Sequence, residues 1–193
     1  MAHAAIRNRG TLGGSLALAD PAAELPACMV CLGAEITLAS RRGERTVAAE
    51  DFFQGLYTTA CAADELLLQV RISRFEPQWH FSFNEIARRH GDFALAGLAF
   101  AVRVASGRID DCRIVYCGVE AAPRRPSNTE RILIGVEPNS GAAHAAALAA
   151  LVEELQPMSS GDYPAEYRSR VASALLDGAV TNLGRQELIS GRA

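Results

Sequence analysis

The 193 residues of the chain are 49% hydrophobic and 21% charged, which is the profile of a globular protein with a buried core. The net charge of −3 at pH 7 and the scattered cationic residues argue against a nucleic-acid partner. No apolar run approaches the roughly 20 residues that a membrane-spanning helix needs, and the first ten residues lack the apolar stretch of a signal peptide. We therefore expect a cytoplasmic protein with no membrane span.

A glycine-rich segment lies near the start of the chain and has the sequence Thr11-Leu12-Gly13-Gly14-Ser15. Successive amides in such a segment can hold an anion, because glycine lets other groups approach the backbone closely. The alternative is a tight turn between two elements. The segment is not a P-loop, since no Gly-Lys-Ser/Thr follows it, and its glycine spacing does not fit a dinucleotide-binding fingerprint.

A helix is predicted after Asp20, which suits the N-cap position. Pro21 would take the first helical position, Glu24 would lie in the first turn, and Gly33 marks the predicted end. The Glu24 carboxylate could accept hydrogen bonds from a sugar or ribityl hydroxyl. The alternative is that Glu24 only compensates the helix dipole.

Strands and one short helix are predicted up to residue 72. Alternating apolar residues predict strands at 34–40, 45–47 and 65–72, of which the first two form a hairpin. Residues 49–53 are predicted as the short helix. The pattern breaks at residues 74–78, which contain a proline, and we place a boundary there.

The second half of the chain begins with three consecutive strands, predicted at 79–88, 93–104 and 109–119, which indicate an antiparallel meander. Helices follow at 129–134, 142–155 and 165–188. Strands followed by helices indicate an α+β domain.

The cysteines permit two interpretations. Cys28 and Cys31 have the C-x-x-C spacing of zinc sites and redox dithiols. They lie in an apolar helical run, however, without a second Cys or His pair nearby. Cys112 and Cys117 lie in a predicted strand, where a separation of five places them on opposite faces. We interpret these cysteines as buried structural thiols.

A polar segment, Arg88-Arg89-His90-Gly91-Asp92, joins two predicted strands. It could hold an anion or an acid–base pair formed by His90 and Asp92, as in a small hydrolase. It could equally be a polar turn. No Ser/His/Asp or Cys/His arrangement can be argued from spacing.

These segments resemble one known family. Residues 6–26, with the Thr-Leu-Gly-Gly-Ser and Asp-Pro-Ala-Ala-Glu-Leu-Pro stretches, closely resemble the second flavin motif of the FAD-binding medium subunits of the xanthine dehydrogenase and carbon monoxide dehydrogenase family. Weaker similarities lie at 50–56, 64–67 and 85–95, so the resemblance covers essentially the whole chain.

The resemblance implies an α+β fold in two parts. Residues 1–77 would be the second subdomain of a PCMH-type FAD-binding domain, with a mixed sheet and helices. Residues 78–193 would be a CO dehydrogenase flavoprotein C-terminal domain, with a three-stranded antiparallel sheet and helices. The implied function is electron transfer through FAD, from an iron–sulfur small subunit that serves a molybdopterin large subunit.

The resemblance also implies roles for single residues. Thr11 to Ser15 would lie against the flavin, Glu24 near the ribityl and phosphate region, and Leu67 beside the isoalloxazine. Asn84 occupies a position that often carries Lys in the xanthine dehydrogenase branch, so a cation near the flavin is lost. Ser15 replaces an Asn of that branch and keeps a hydrogen-bonding group.

The largest departure from the family is a missing N-terminal subdomain, whose Ala-Gly-Gly-x-Ser loop grips the pyrophosphate of FAD. A gene model that starts too late would explain it, and so would a natural split or decay of the subunit. Because diphosphate binding depends on such donors, we expect weak or no FAD binding by this chain alone. The alternative function is a structural or assembly module of the same fold that does not bind flavin.

Overall fold

The computed structural model describes residues 7–89, 91–161 and 163–190, with side chains as far as residue 184. It contains two layered parts that share one buried interface. The α+β class that the resemblance implied is confirmed.

The first part holds two helices and a small sheet. Helix α1 spans Leu12–Leu18 and helix α2 spans Glu24–Cys31. Strands β1 (Glu35–Ser40) and β2 (Gly43–Ala48) form the predicted hairpin, and helix α3 is Ala49–Phe52. The remaining strands of this part are short or lie at an edge: β3 (Phe53–Gly55), β4 (Thr58–Thr59) and β5 (Leu66–Arg71).

The main sheet of the first part has the order β2-β1-β5, and both of its strand pairs are antiparallel. This differs from the expected mixed sheet. The two-residue turn between Ser40 and Gly43 can join only antiparallel neighbours. The described strands therefore contain no parallel pair in this sheet.

The second part is the predicted meander followed by helices. Strands β6 (Trp79–Ala87), β7 (Ala94–Ala105) and β8 (Arg108–Cys117) form an antiparallel sheet in the order β6-β7-β8. The helices are α4 (Ser127–Leu133), α5 (Gly141–Glu154) and α6 (Ala165–Ser190). None of the helices in the described part of the chain is long and apolar enough to cross a membrane.

Strand β7 explains how the two parts join. Its large side chains, Leu98, Phe100 and Val102, point to the core formed with α5 and α6. The small residues Ala99 and Ala101 point the other way, into a second core shared with α2 and the first sheet. Because successive residues of a strand face opposite sides, small side chains on one face let helix α2 approach β7 and β8 closely.

The start of α2 corrects one prediction. Asp20 is not the N-cap: its Oδ1 accepts from the Ala22 amide at 2.9 Å in a local turn, and the helix begins at Glu24 with Ala23 as its N-cap. Pro26 is the physical reason. A helix that began at Pro21 would place Pro26 in its interior and lose a hydrogen bond, whereas the first turn needs no such bond. The predicted end is confirmed, since Gly33 follows α2 with φ +60°.

An ion pair stabilises the first part near β2. The Glu65 carboxylate accepts from the Arg45 guanidinium at 2.7 and 2.8 Å and from the Ala62 amide at 2.9 Å. The hydrogen bonds from Arg45, and then the Ala62 amide, lower the pKa of Glu65 from 4.5 to about 2. Because the pKa is lower in the folded chain, this stabilisation is present above pH 4.5 and is lost as the pH falls toward 2.

Replacing Glu65 by Gln should therefore make the free energy of unfolding depend less on pH at acidic pH. The variant is expected to lose stability at neutral pH and to show a smaller further loss below about pH 4.5 than the parent chain. Urea unfolding in steps from about pH 7 to about pH 3 measures both effects. Glu44→Gln, at an exposed position on β2, is the matched control. Parallel profiles for the parent and Glu65→Gln would contradict the assignment.

Candidate functional site

The glycine-rich segment forms the beginning of helix α1 rather than a turn. Thr11 has an extended backbone and is the N-cap, and its Oγ1 accepts from the Gly14 amide at 3.0 Å. A Cβ on Gly14 would lie 2.9 Å from that oxygen, so a larger residue there would have to shift the capping hydroxyl. The Ser15 amide bonds to the Thr11 carbonyl at 3.1 Å. The helix ends at Ala19, which adopts φ +52°.

Two of the predicted site positions are brought together at this helix. A Cβ on Gly13 would lie 3.7 Å from Leu67 Cδ2, so the bare backbone of α1 faces the side chain of β5. Thr11, Leu12 and Gly14 are exposed, while Gly13 and Ser15 are half-buried. The first amides of a helix have no partner within it. An exposed helix start with two bare Cα positions fits the close approach of an anionic cofactor.

Glu24 lies at the first residue of α2, the helix that packs beside α1. Its half-buried carboxylate acts electrostatically on Cys28, one turn later, and on Cys117 at the end of β8. Glu24 is therefore near α1 and also near the end of β8.

Asn84 lies elsewhere. It pairs with Leu98 on β7, whose side chain belongs to the core under α6, so Asn84 shares that face of the sheet. The neighbouring residues Phe83 and Glu85 occupy the α2 side. A Cβ on Gly97 would lie 3.1 Å from Phe83 Cζ and 2.7 Å from Cys117 Sγ. Sequence reasoning missed Phe83 and Glu85, although alternation along β6 was the signal that could have found them.

The five cysteines are thiols. Cys31, Cys112 and Cys117 are buried as expected. Cys28, which was also expected to be buried, is half-buried, as is Cys61. The predicted opposite faces of Cys112 and Cys117 are confirmed, because the two belong to different cores. Burial, and secondarily the Glu24 carboxylate, raises the pKa of Cys28 to about 11, and burial raises that of Cys31 to about 12.

These values oppose a reactive dithiol. Because the thiolate is the attacking species, iodoacetamide at about pH 8 should modify Cys28 and Cys31 at least about tenfold more slowly in the folded chain than in the urea-unfolded chain. Peptide mass spectrometry over time measures the rates. Fast modification of both residues in the folded state, or ready closure of a Cys28–Cys31 disulfide, would contradict the structural role.

The described residues on either side of His90 have the hydrogen bond of a turn. The Asp92 amide bonds to the Arg89 carbonyl at 3.1 Å, Asp92 is exposed, and His90 lies outside the described residues. The His90–Asp92 pair therefore stays a prediction. Within the described ranges, no three His, Cys, Asp or Glu side chains are grouped to hold a metal ion.

Comparison with known families defines the class of protein. The model described as "FAD binding domain in molybdopterin dehydrogenase" matches residues 1–74. The model described as "CO dehydrogenase flavoprotein C-terminal domain" matches residues 81–183. The chain therefore belongs to the FAD-binding medium-subunit family of the molybdenum hydroxylases, as the sequence resemblance implied.

Individual relatives agree with this membership. The nicotine 6-hydroxylase medium subunit of Paenarthrobacter nicotinovorans is 38% identical over 95% of this chain and 64% of its own length. Caffeine dehydrogenase subunit beta of Pseudomonas sp. (strain CBB1) is 38% identical over 93% and 61%. Reconstituted CO dehydrogenase from Oligotropha carboxidovorans is a solved structure with TM-score 0.88 and 34% identity over 94% and 63%. The chain thus spans less than two thirds of the length of these relatives.

Proposed function

We propose that the chain holds FAD as the electron-transfer subunit of a molybdenum hydroxylase. The observation that carries the proposal is the exposed start of α1, where Thr11 caps a helix that continues with Gly13, beside Leu67, and Gly14. This segment lies within the part of the chain that matches an FAD-binding domain. Bound FAD would supply the redox chemistry, and the protein would supply position and electrostatics.

The proposed contacts follow the same surface. Thr11 to Ser15 would lie against the flavin, and the amides of Leu12 and Gly13 in the first turn of α1 would face its polar groups. Leu67 would lie beside the flavin rings, and the Glu24 carboxylate would accept from a ribityl hydroxyl. Asn84 stays a prediction as a site residue. Asn84 lies on the opposite face of the sheet from Phe83 and Glu85. A cofactor on the α2 side could therefore contact Asn84 only by reaching around the edge of β6.

Partners are proposed from the relatives. Their names, medium subunit and subunit beta, describe components of larger enzymes. We propose an iron–sulfur small subunit and a molybdopterin large subunit as partners of this chain. The division at residues 77 and 78 and the cytoplasmic location also remain predictions.

We propose that high affinity for FAD requires a further polypeptide segment, which an N-terminal fragment of a related medium subunit (the complementing fragment) would supply. Apolar side chains are exposed along β5 and after it, namely Leu66, Leu68 and Ile72. Such exposed apolar surface is typical of a contact with another polypeptide. With the donors of α1 alone facing the cofactor, we expect weak or absent binding until the segment that holds the diphosphate is supplied.

Co-purification tests the proposal as a whole. The chain is expressed with the small and large subunits of a related hydroxylase and with an N-terminal fragment of its medium subunit. Retention of all subunits with a flavin absorbance spectrum supports the proposal. Retention of the subunits without flavin would instead support the alternative of a structural or assembly module.

A further inference from the structure

The buried guanidinium of Arg168 lies at the end of the second sheet, where Gly118 connects it to the turn between α1 and α2. Arg168 is on α6 and is only 8% exposed. Its Nη1 donates to the carbonyl oxygens of Leu95, on β7, and of Gly118, directly after β8. Its Nη2 donates to the hydroxyl of Ser160. One side chain thus fixes the ends of two neighbouring strands.

Gly118 passes this constraint to the other side of the sheet. Its amide donates to the Pro21 carbonyl at 2.7 Å. Its φ is +74°, and a Cβ there would lie 2.8 Å from the Ala94 carbonyl oxygen, so the position requires glycine. Gly118 is therefore bonded through its carbonyl to the helix layer and through its amide to the connection between α1 and α2.

The connection that Gly118 reaches is a compact turn ending at Glu24. The amides of Ala22 and Ala23 bond to Asp20, through its Oδ1 at 2.9 Å and its carbonyl at 3.0 Å. The Tyr57 hydroxyl donates to the other Asp20 carboxylate oxygen at 3.3 Å. The hydrogen bond between Gly118 and Pro21 joins this turn to the second sheet. It therefore constrains the position of Glu24, at the end of the turn.

We propose that Arg168 is a positioning residue for the flavin site. By bonding to the Gly118 carbonyl from the helix side of the sheet, it fixes the position of the 20–24 turn and of Glu24 relative to α1. The part of this inference that concerns flavin rests on the proposed function. The part that concerns the turn stands on the hydrogen bonds alone.

Hydrogen exchange on the full chain without flavin tests the positioning directly. In Arg168→Lys, the amides of Gly118, Ala22 and Ala23 are expected to exchange about tenfold faster or more than in the parent chain. The Ile109 amide, which bonds to the Val136 carbonyl at the other end of β8, is the internal reference. Arg170→Lys is the matched control, because Arg170 is exposed on the same helix and packs on Tyr167.

Two outcomes would overturn the proposal. One is unchanged exchange at Gly118, Ala22 and Ala23, and the other is equal acceleration there and at Ile109, which reports only global destabilisation. If Arg168→Lys does not fold, Ser160→Ala removes one guanidinium contact and must show the same pattern at smaller amplitude. An unchanged pattern in that variant also overturns the proposal.

A measurement of FAD affinity extends the test to the flavin site. In the presence of the complementing fragment, the dissociation constant for FAD should rise about tenfold in Arg168→Lys and stay unchanged in Arg170→Lys. Equal affinities would refute the link to the flavin site. If the parent chain binds no FAD with the fragment, the proposed function fails, while the exchange measurement still decides whether Arg168 positions the turn.

Discussion

Replacing Gly14 by Val is expected to weaken FAD binding by about a hundredfold while the chain stays folded, the loss of about two hydrogen bonds to a charged group. The new Cβ would lie 2.9 Å from Thr11 Oγ1 and would displace the hydroxyl that caps α1. The added methyl groups would also cover the amides that we propose to face the cofactor. Losing an N-cap costs about 1 kcal/mol, which the better helix propensity of Val partly offsets.

The measurement for Gly14→Val is an FAD titration with the complementing fragment, together with thermal unfolding of the chain. Gly178→Val provides the matched control, because a Cβ at Gly178 on α6 has no neighbour within 4 Å. An unchanged dissociation constant in a folded Gly14→Val variant would show that α1 does not face the flavin.

Replacing Glu130 by Ala is expected to lower the free energy of unfolding by about 3–5 kcal/mol. Glu130 is 4% exposed, and its Oε1 accepts from the Ile114 amide at 2.8 Å and from Arg125 Nε at 2.9 Å. Removing the carboxylate leaves the buried Ile114 amide without its acceptor and leaves Arg125 with only the exposed Glu50 as a charge partner. Arg125 also reaches Glu50 in the first part at 3.4 Å, so the loss extends to the contact between the parts.

Urea unfolding at neutral pH measures the effect of Glu130→Ala. Glu153→Ala, an exposed position on α5, is the control and should change stability by less than about 0.5 kcal/mol. A loss below about 1 kcal/mol for Glu130→Ala would mean that the buried pair contributes little.

Much of the fold was predictable because strong local patterns coincide with burial. The meander 79–119 was found because its strands alternate or are apolar throughout, and the turn at Ser106 and Gly107 has the positive φ values of a tight hairpin. Helix α6 was predicted at 165–188 and spans Ala165–Ser190. The two short strands, β3 and β4, were missed because each has too few residues to show alternation.

Parts of the candidate site were not predicted from the sequence, and only some of them could have been. Helix α1 contains Gly13 and Gly14, which have low helix propensity, so a turn was predicted. The Thr11 cap and the fully buried Leu16 stabilise the helix instead. The later start of α2 could have been predicted from Pro26, which was not used. The position of Asn84 could have been questioned from strand parity alone, whereas the contact between Gly13 and Leu67 needs the three-dimensional structure.

Titration of the chain with FAD tests the central claim most directly, first alone and then with an N-terminal fragment of a related medium subunit. We predict little binding alone, and saturable binding of one FAD per chain when the fragment is present, seen as a change in the flavin spectrum. Gly14→Val should lose that binding and Gly178→Val should keep it. Absence of binding with the fragment, or equal binding by Gly14→Val, would contradict the claim that the start of α1 receives the flavin.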